Sequence, residues 1–310
     1  MINHCKTLFQ NMKKFLYITF TLLALSACKN TSTSDKQEKE GITILQDSIK
    51  TLTSSNFENV VTDDPNPELA AIVKDALQKV DSLYKGEENW LYTYFSQDSI
   101  AKTTIKAGKF FNNQPYVVVH IDDRIIESLV EVYKIEKNRT FRKKLSYIQD
   151  FTYAVHDSVF DANGDGINDF NIDWWTTGAF GSSIIYIYLF DPKTEKFSTA
   201  YEFDNATFYP KEKIIRGVEA GFGGISGLYK MKWVGDKSDK AEDIEYIYPD
   251  YTTKGKTFIR TKTPSEYPER KEGELLKKVP EEYRDQKDWF LRYQERGGLP
   301  FLELILKDRK

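Results

Sequence analysis

The middle of the chain alternates short apolar runs with polar breaks, a pattern typical of β-strands. The predicted strands cover residues 116–121, 129–135, 145–160, 170–175, 184–190, 197–203, 213–218, 228–234 and 244–248. An Asp191-Pro192-Lys193 turn predicts a hairpin between two of them. Because no long helical pattern separates these runs, we expect a mainly β, antiparallel unit, either a β-sandwich or a propeller-like array.

Two segments flanking the strands have helical spacing instead. The first starts at Asn66, a suitable N-cap, has Pro67 at its first helical position and keeps its apolar stripe until Gly86. The second covers residues 280–296, and residues 299–306 after it are compatible with an edge strand. The fold expected is therefore a β domain with a preceding helix and a charged, helical C-terminal extension.

Changes in composition along the chain divide it into five parts. The predicted parts are a signal peptide over 1–27, a tether over 28–65, a helical N-terminal segment over 66–112, a β domain over 113–250 and a charged extension over 251–310. The tether is rich in Ser, Thr, Lys and Glu, with too little apolar content to form a packed core.

Charge excludes one class of partner. The 44 basic and 47 acidic residues give a net charge of -3, so the chain lacks the excess positive charge of a nucleic-acid-binding protein. The aromatic fraction of 14% is in keeping with a β-rich fold.

The N-terminal region has the pattern of a bacterial lipoprotein signal. Lys13 and Lys14 precede an apolar run over 15–25, and small residues then lead to Cys28. The run is shorter than the roughly 20 residues that a membrane-spanning helix needs. We therefore expect Cys28 to become the lipid-modified first residue of the mature protein. Lys29 is not an inner-membrane retention signal of the Asp type, so the expected location is the outer membrane.

The chain contains two cysteines, Cys5 and Cys28. If Cys5 is removed with the signal and Cys28 is acylated, the mature protein has no thiol available for a disulfide. The fold then depends on its core, with a bound metal as one further source of stability.

The sharpest motif is an acidic loop with oxygen donors at alternate positions. Calcium prefers such hard oxygen ligands, and a glycine at position 6 permits the sharp turn that the loop needs. The expected calcium ligands are the side chains of Asp161, Asn163, Asp165 and Asp169 and the carbonyl of Ile167.

The loop departs from the EF-hand pattern at its last position. Ile172 occupies position 12, where an EF-hand has a bidentate glutamate, so Asp169 would have to supply that contact. The alternative is an Asp- and Gly-rich surface turn that binds no metal.

Three segments around this loop resemble a known family. Residues 160–170, 177–197 and 221–233 are similar to the calcium hairpins of integrin-type FG-GAP propeller repeats, and to bacterial envelope lipoproteins with a propeller-like calcium-binding domain. Some of those lipoproteins inhibit lysozymes or act as immunity proteins. The resemblance implies a binding or inhibitory role, with a structural calcium site.

Other candidate residues point to binding more than to catalysis. The glycine-rich segment 221–227 lacks the setting of a phosphate loop, so Phe222 and Ile225 are expected to contact a partner from a surface loop. Trp174 and Trp175 adjoin the acidic loop, and one of the two should face the core. His120 and His156 are too few for a zinc site and are interpreted as structural.

These features predict a noncatalytic envelope lipoprotein that is anchored to the membrane by lipid and stiffened by Ca²⁺. Its expected partner is a protein, with a cell-wall hydrolase as the class implied by the resemblance. The alternative is a glycan-binding or hydrolytic envelope protein that uses Trp174, Trp175 and nearby carboxylates.

Overall fold

A computed structural model describes residues 66–95, 101–122, 127–150, 154–176, 182–220, 226–264 and 273–295. All of them belong to one compact unit, residues 61–310. The predicted signal peptide, the predicted tether and the segment 299–306 lie outside the described residues. Within the described part, no helix is long and apolar enough to cross a membrane.

The first helix, α1 (Pro67–Leu83), begins where its capping residue predicts. The Asn66 side chain accepts a hydrogen bond from the Glu68 backbone N–H at 3.1 Å, which satisfies one of the free donors of the first turn. Its buried stripe, Leu69, Val73, Ala76 and Val80, packs on a sheet. The predicted helix is therefore confirmed, although it ends at Leu83, three residues before Gly86.

Three antiparallel sheets follow one another along the chain. The first sheet contains β1 (Asn89–Phe95), β2 (Lys102–Gly108), β3 (Tyr116–Asp122), β4 (Glu127–Ile135) and β5 (Phe141–Asp150), in that order. The second contains β6 (Val155–Phe160), β7 (Asp169–Trp175), β8 (Ser183–Tyr188) and β11 (Tyr201–Asp204), in the order β11-β8-β7-β6. A two-stranded hairpin, β9 (Phe190–Asp191) with β10 (Lys196–Phe197), lies between β8 and β11 in the chain.

The third sheet has six strands and is followed by the second helix. Its strands, in spatial order, are β12 (Thr207–Tyr209), β13 (Ile214–Ala220), β14 (Ser226–Val234), β15 (Lys240–Pro249), β16 (Phe258–Thr261) and β17 (Glu274–Leu276). A short 3-10 turn then leads into α2 (Arg284–Tyr293).

Four apolar cores separate these elements into layers. The first core lies between α1 and the first sheet, the second between the first and second sheets, the third between the second and third sheets, and the fourth between the third sheet and α2. Alternation along single strands explains the layering. In β3, Val117 and Val119 join the first core, whereas Tyr116 and Val118 join the second.

The mainly β, antiparallel fold with a helix at each end is as predicted, but the segment boundaries need correction. The segment 66–112, expected to be helical, also contributes β1 and β2, and β2 pairs with β3 across the expected boundary at 112/113. The charged extension likewise contributes β16 and β17 to the third sheet. The single run predicted over 145–160 is two strands, β5 and β6, in different sheets.

Candidate functional site

The acidic loop connects β6 to β7 in the second sheet, as the strand-loop-strand pattern predicts. Its first carboxylate organises the turn. Asp161 Oδ1 accepts hydrogen bonds from the backbone N–H groups of Gly164 at 2.7 Å and Asp165 at 3.2 Å, and Oδ2 accepts one from Gly166 at 2.9 Å. A short polar side chain is needed at this position because it replaces the backbone acceptors that the tight turn removes.

The middle of the loop continues the same local pattern. The Asp165 N–H donates to Asn163 Oδ1 at 3.1 Å, and the Ile167 N–H donates to Asp165 Oδ1 at 2.8 Å. Asn163 is buried, whereas Asp165 is exposed. The Ile167 side chain is partly buried against the second core, which fixes the end of the loop on the body of the fold.

Asp169, at the end of the loop, is the buried carboxylate of the site, with a relative exposure of 1%. Its Oδ2 accepts a hydrogen bond from Ala162 N and its Oδ1 accepts one from Phe190 N, both at 3.0 Å. Burial, together with the neighbouring Asp165 and Asp161 carboxylates, raises the pKa of Asp169 to about 7, against the lowering effect of the two backbone donors. Among the described residues no lysine, arginine or histidine forms an ion pair with Asp169.

The loop also contacts the neighbouring sheet on either side. Asn168 Nδ2 donates to the Phe110 carbonyl at 2.8 Å, in the connection between β2 and β3 of the first sheet. Asn163 Nδ2 donates to the Ser238 carbonyl at 3.1 Å, in the turn between β14 and β15 of the third sheet. A change in this loop therefore affects contacts with both neighbouring layers.

Two glycines give the loop its path, for different reasons. Both have a positive φ, +74° at Gly164 and +85° at Gly166, a conformation that residues with a side chain adopt at a cost. A Cβ atom at Gly164 would lie 2.1 Å from the Pro210 carbonyl oxygen, whereas one at Gly166 would meet no atom within 4 Å. Gly164 is thus needed for close packing against the third sheet as well as for the turn.

The donor atoms fit calcium in kind, because carboxylate and amide oxygens are its preferred ligands. Their arrangement is less complete, since nowhere among the described residues do three or more His, Cys, Asp or Glu side chains form a group placed to hold a metal ion. The oxygens of Asp161 and Asp169 accept backbone hydrogen bonds. Asp161 Oδ2 and both oxygens of Asp169 accept one such bond each and keep a second lone pair, so these bonds do not by themselves prevent ligation there, whereas Asp161 Oδ1 already accepts two. Calcium binding by this loop therefore stays a prediction.

The other predicted site residues fall into two groups. Cys28, Phe222 and Ile225 lie outside the described residues. Both tryptophans are described, and one of the two faces the core, as expected. Trp174 is partly buried against the second core, and Trp175 is 45% exposed.

One polar cluster was not singled out from the sequence. Asp157, almost fully buried between the first and second sheets, lies 2.7 Å from Lys106 Nζ and 2.9 Å from His120 Nδ1. Burial alone would raise the pKa of Asp157, but the His120 hydrogen bond and the Lys106 charge hold it below its ordinary value. The alternation of β6 predicts one buried face but not its partners, which come from two other strands.

Comparisons with protein-family models, with curated proteins and with solved structures found no match to this chain.

Proposed function

We propose that this chain is a noncatalytic, lipid-anchored protein of the cell envelope whose calcium-stabilised β domain binds a protein partner. A peptidoglycan-degrading enzyme is the partner class that we favour. The observation that carries the proposal is the acidic loop 161–169, which contacts both neighbouring sheets and contains a buried carboxylate that no described lysine, arginine or histidine pairs with.

Calcium would neutralise the acidic loop and fix its position. Its ligands would be the side chains of Asp161, Asn163, Asp165 and Asp169, with the carbonyl of Ile167. Because Asn163 and Asn168 reach the third and first sheets, an ion here would stiffen the contacts between layers. Such a rigid frame holds connecting loops in a defined orientation, which favours recognition of a macromolecule.

The sheet organisation supports the propeller-like resemblance. Each sheet is an antiparallel meander in chain order apart from the β9–β10 hairpin, and consecutive sheets pack face to face through shared cores. Propeller blades are four-stranded sheets packed in the same manner around a channel. We propose that this unit is a short, propeller-like array whose outer faces are covered by α1 and α2.

The anchor and the location are part of the same proposal. Lipid on Cys28 would hold the protein at the outer membrane, and residues 28–65 would separate the β domain from the lipid surface. Phe222 and Ile225, in the connection between β13 and β14, stay the predicted partner contacts.

Affinity capture from envelope extracts tests the partner. The tagged full chain, extracted in detergent, should retain a cell-wall hydrolase in millimolar calcium and lose most of it in a calcium chelator. The Asp165→Ala chain should capture little in either condition, whereas Asp288→Ala, an exposed change on α2, should behave as the unchanged chain. In solution, the purified protein should slow peptidoglycan digestion by the captured enzyme. Capture that is the same with and without calcium in all three chains would contradict the role assigned to the loop.

A glycan-binding role is the second candidate, and one surface favours it. The exposed ring of Trp175 lies on the same face of β7 as Asp173, and His156 is directly opposite Asp173 on β6. An exposed aromatic ring beside polar side chains is suited to stacking on a sugar and hydrogen-bonding its hydroxyls. If this role is correct, the protein should sediment with purified peptidoglycan, and Trp175→Ala should reduce binding about tenfold. Release of soluble fragments by the protein alone would instead indicate a hydrolase.

A further inference from the structure

The strand β1 lies at one edge of the first sheet and is unusual in composition. It reads Asn-Trp-Leu-Tyr-Thr-Tyr-Phe, without a charged residue or proline, and its register with β2 is unbroken over all seven residues. Among the described residues it pairs with β2 alone, so no described strand pairs with the backbone donors and acceptors of its other side. Edge strands are normally protected by charges, prolines or bulges from pairing with a strand of another chain.

The opposite edge of the same sheet has that protection. The strand β5 carries Arg142, Lys143 and Lys144, and its pairing with β4 is interrupted by a bulge between Val132 and Tyr133. The two edges of one sheet are thus built differently, and only β5 has the features that discourage a further strand. This contrast indicates that the open edge of β1 serves a purpose.

Exposed apolar side chains mark the same strand. Leu91 and Phe95 are each 66% exposed, the highest values among the large hydrophobic residues described. They lie on one face of β1 with Thr93 between them, because side chains two residues apart share a face. The face opposite, with Trp90, Tyr92 and Tyr94, packs against the first core.

The order of these residues is symmetric about Thr93. On either side of Thr93 come a tyrosine and then a large apolar residue, Leu91 on one side and Phe95 on the other. An antiparallel self-pair centred on Thr93 would place Leu91 opposite Phe95 of the second copy and Tyr92 opposite Tyr94. Such a two-fold contact uses the same patch on both copies and joins apolar with apolar residues across the pair.

We propose that two copies of this chain associate through β1, edge to edge and antiparallel, forming a continuous ten-stranded sheet across the dimer. The backbone groups of β1 supply the hydrogen bonds, and Leu91 and Phe95 supply the apolar contact. The proposal does not depend on calcium or on the partner proposed above.

Disulfide cross-linking in intact membranes tests the register. A cysteine at Thr93 would face its own copy across the two-fold axis, within the roughly 4.5 to 5.5 Å between Cβ atoms of paired residues. Thr104 is the matched control, since it pairs with Thr93 on the next strand inwards. Its two copies would be three strand spacings apart, about 14 Å, which is too far for a disulfide. With a mild oxidant, Thr93→Cys should give a covalent dimer on a non-reducing gel, whereas Thr104→Cys and the unsubstituted chain should not.

The oligomeric state in detergent provides a second measurement. Leu91→Lys should shift the protein from dimer to monomer in analytical ultracentrifugation, because a charged side chain would replace the apolar contact with Phe95 of the second copy at both ends of the pair. Leu275→Lys, at another exposed apolar residue, should leave the dimer unchanged. Circular dichroism should show both variants folded, since each side chain is exposed. A monomer for the unsubstituted chain, or equal cross-linking at Thr93 and Thr104, would overturn the proposal.

Discussion

Replacing Gly164 by alanine is expected to lower the free energy of unfolding by more than about 3 kcal/mol, whereas the same change at Gly166 should cost about 1 kcal/mol. Both glycines have a positive φ, so both variants carry the strain of a side chain in that conformation. Only at Gly164 would the new Cβ also meet a backbone atom, the Pro210 carbonyl oxygen, at 2.1 Å. That carbonyl belongs to a 3-10 turn of the third sheet, so it cannot move without disturbing another layer.

Urea unfolding of both variants in a calcium chelator gives the comparison. The chelator removes any contribution from a bound ion, and the two sites lie in one loop and undergo the same chemical change. The difference between the variants therefore measures the contact with Pro210. An equal loss of stability at the two positions would mean that the loop and the third sheet are not packed together as described.

Much of the β fold could be predicted because most strands are buried on at least one face. Residues 116–121 are nearly all apolar since β3 lies between two cores, with Val117 in the first and Val118 in the second. By contrast, β2 has one large apolar residue, Ile105, and β1 alternates half-buried aromatic with exposed residues. Neither strand contributes a residue to the second core, so their sequences carry a weaker strand signal.

The division of strands among sheets could not be predicted from the pattern. The run 145–160 is apolar enough to suggest a single strand, yet β5 closes the first sheet and β6 begins the second. Periodicity shows that a strand has a buried face but does not identify the sheet against which that face packs. The four cores become apparent only once residues far apart in the chain are brought together.

The acidic loop illustrates the same limit at the level of a site. Spacing alone predicted the polar residues of the loop and one turn glycine, Gly166, because these depend on local backbone geometry, whereas Gly164 was not singled out. The burial of Asp169 depends on Phe190, which comes 21 residues later, and the packing of Gly164 depends on Pro210. The buried Asp157, with Lys106 and His120, was missed for the same reason.

Calcium at a few millimolar is expected to raise the melting temperature of the protein by a few degrees. Extracellular modules bind calcium with dissociation constants of about 0.1 to 1 mM, which corresponds to about 1 to 2 kcal/mol of added stability at that concentration. For a protein of this size each kcal/mol shifts the melting temperature by about 2 to 4 °C. Magnesium should be a poor substitute, since it requires a smaller octahedral shell.

Asp165→Ala should abolish this shift while leaving the calcium-free fold largely intact. Asp165 is exposed, and the hydrogen bonds that its carboxylate accepts from described residues are local, from Ile167 N and Asn163 Nδ2. Its removal also relieves repulsion from the neighbouring acids. Asp169→Ala is a poorer test, because it would leave the buried N–H groups of Ala162 and Phe190 without an acceptor and destabilise the protein even without calcium.

Differential scanning calorimetry of the unchanged chain, Asp165→Ala and the distant control Asp288→Ala, each with calcium, magnesium or chelator, separates the possible outcomes. The unchanged chain and Asp288→Ala should respond to calcium equally, and Asp165→Ala should not respond. If Asp165→Ala keeps the calcium shift, the ion binds elsewhere in the protein. If the unchanged chain shows no shift, the segment 161–169 is a turn held together by its own hydrogen bonds, with Asp161 and Asp169 serving as acceptors for backbone N–H groups.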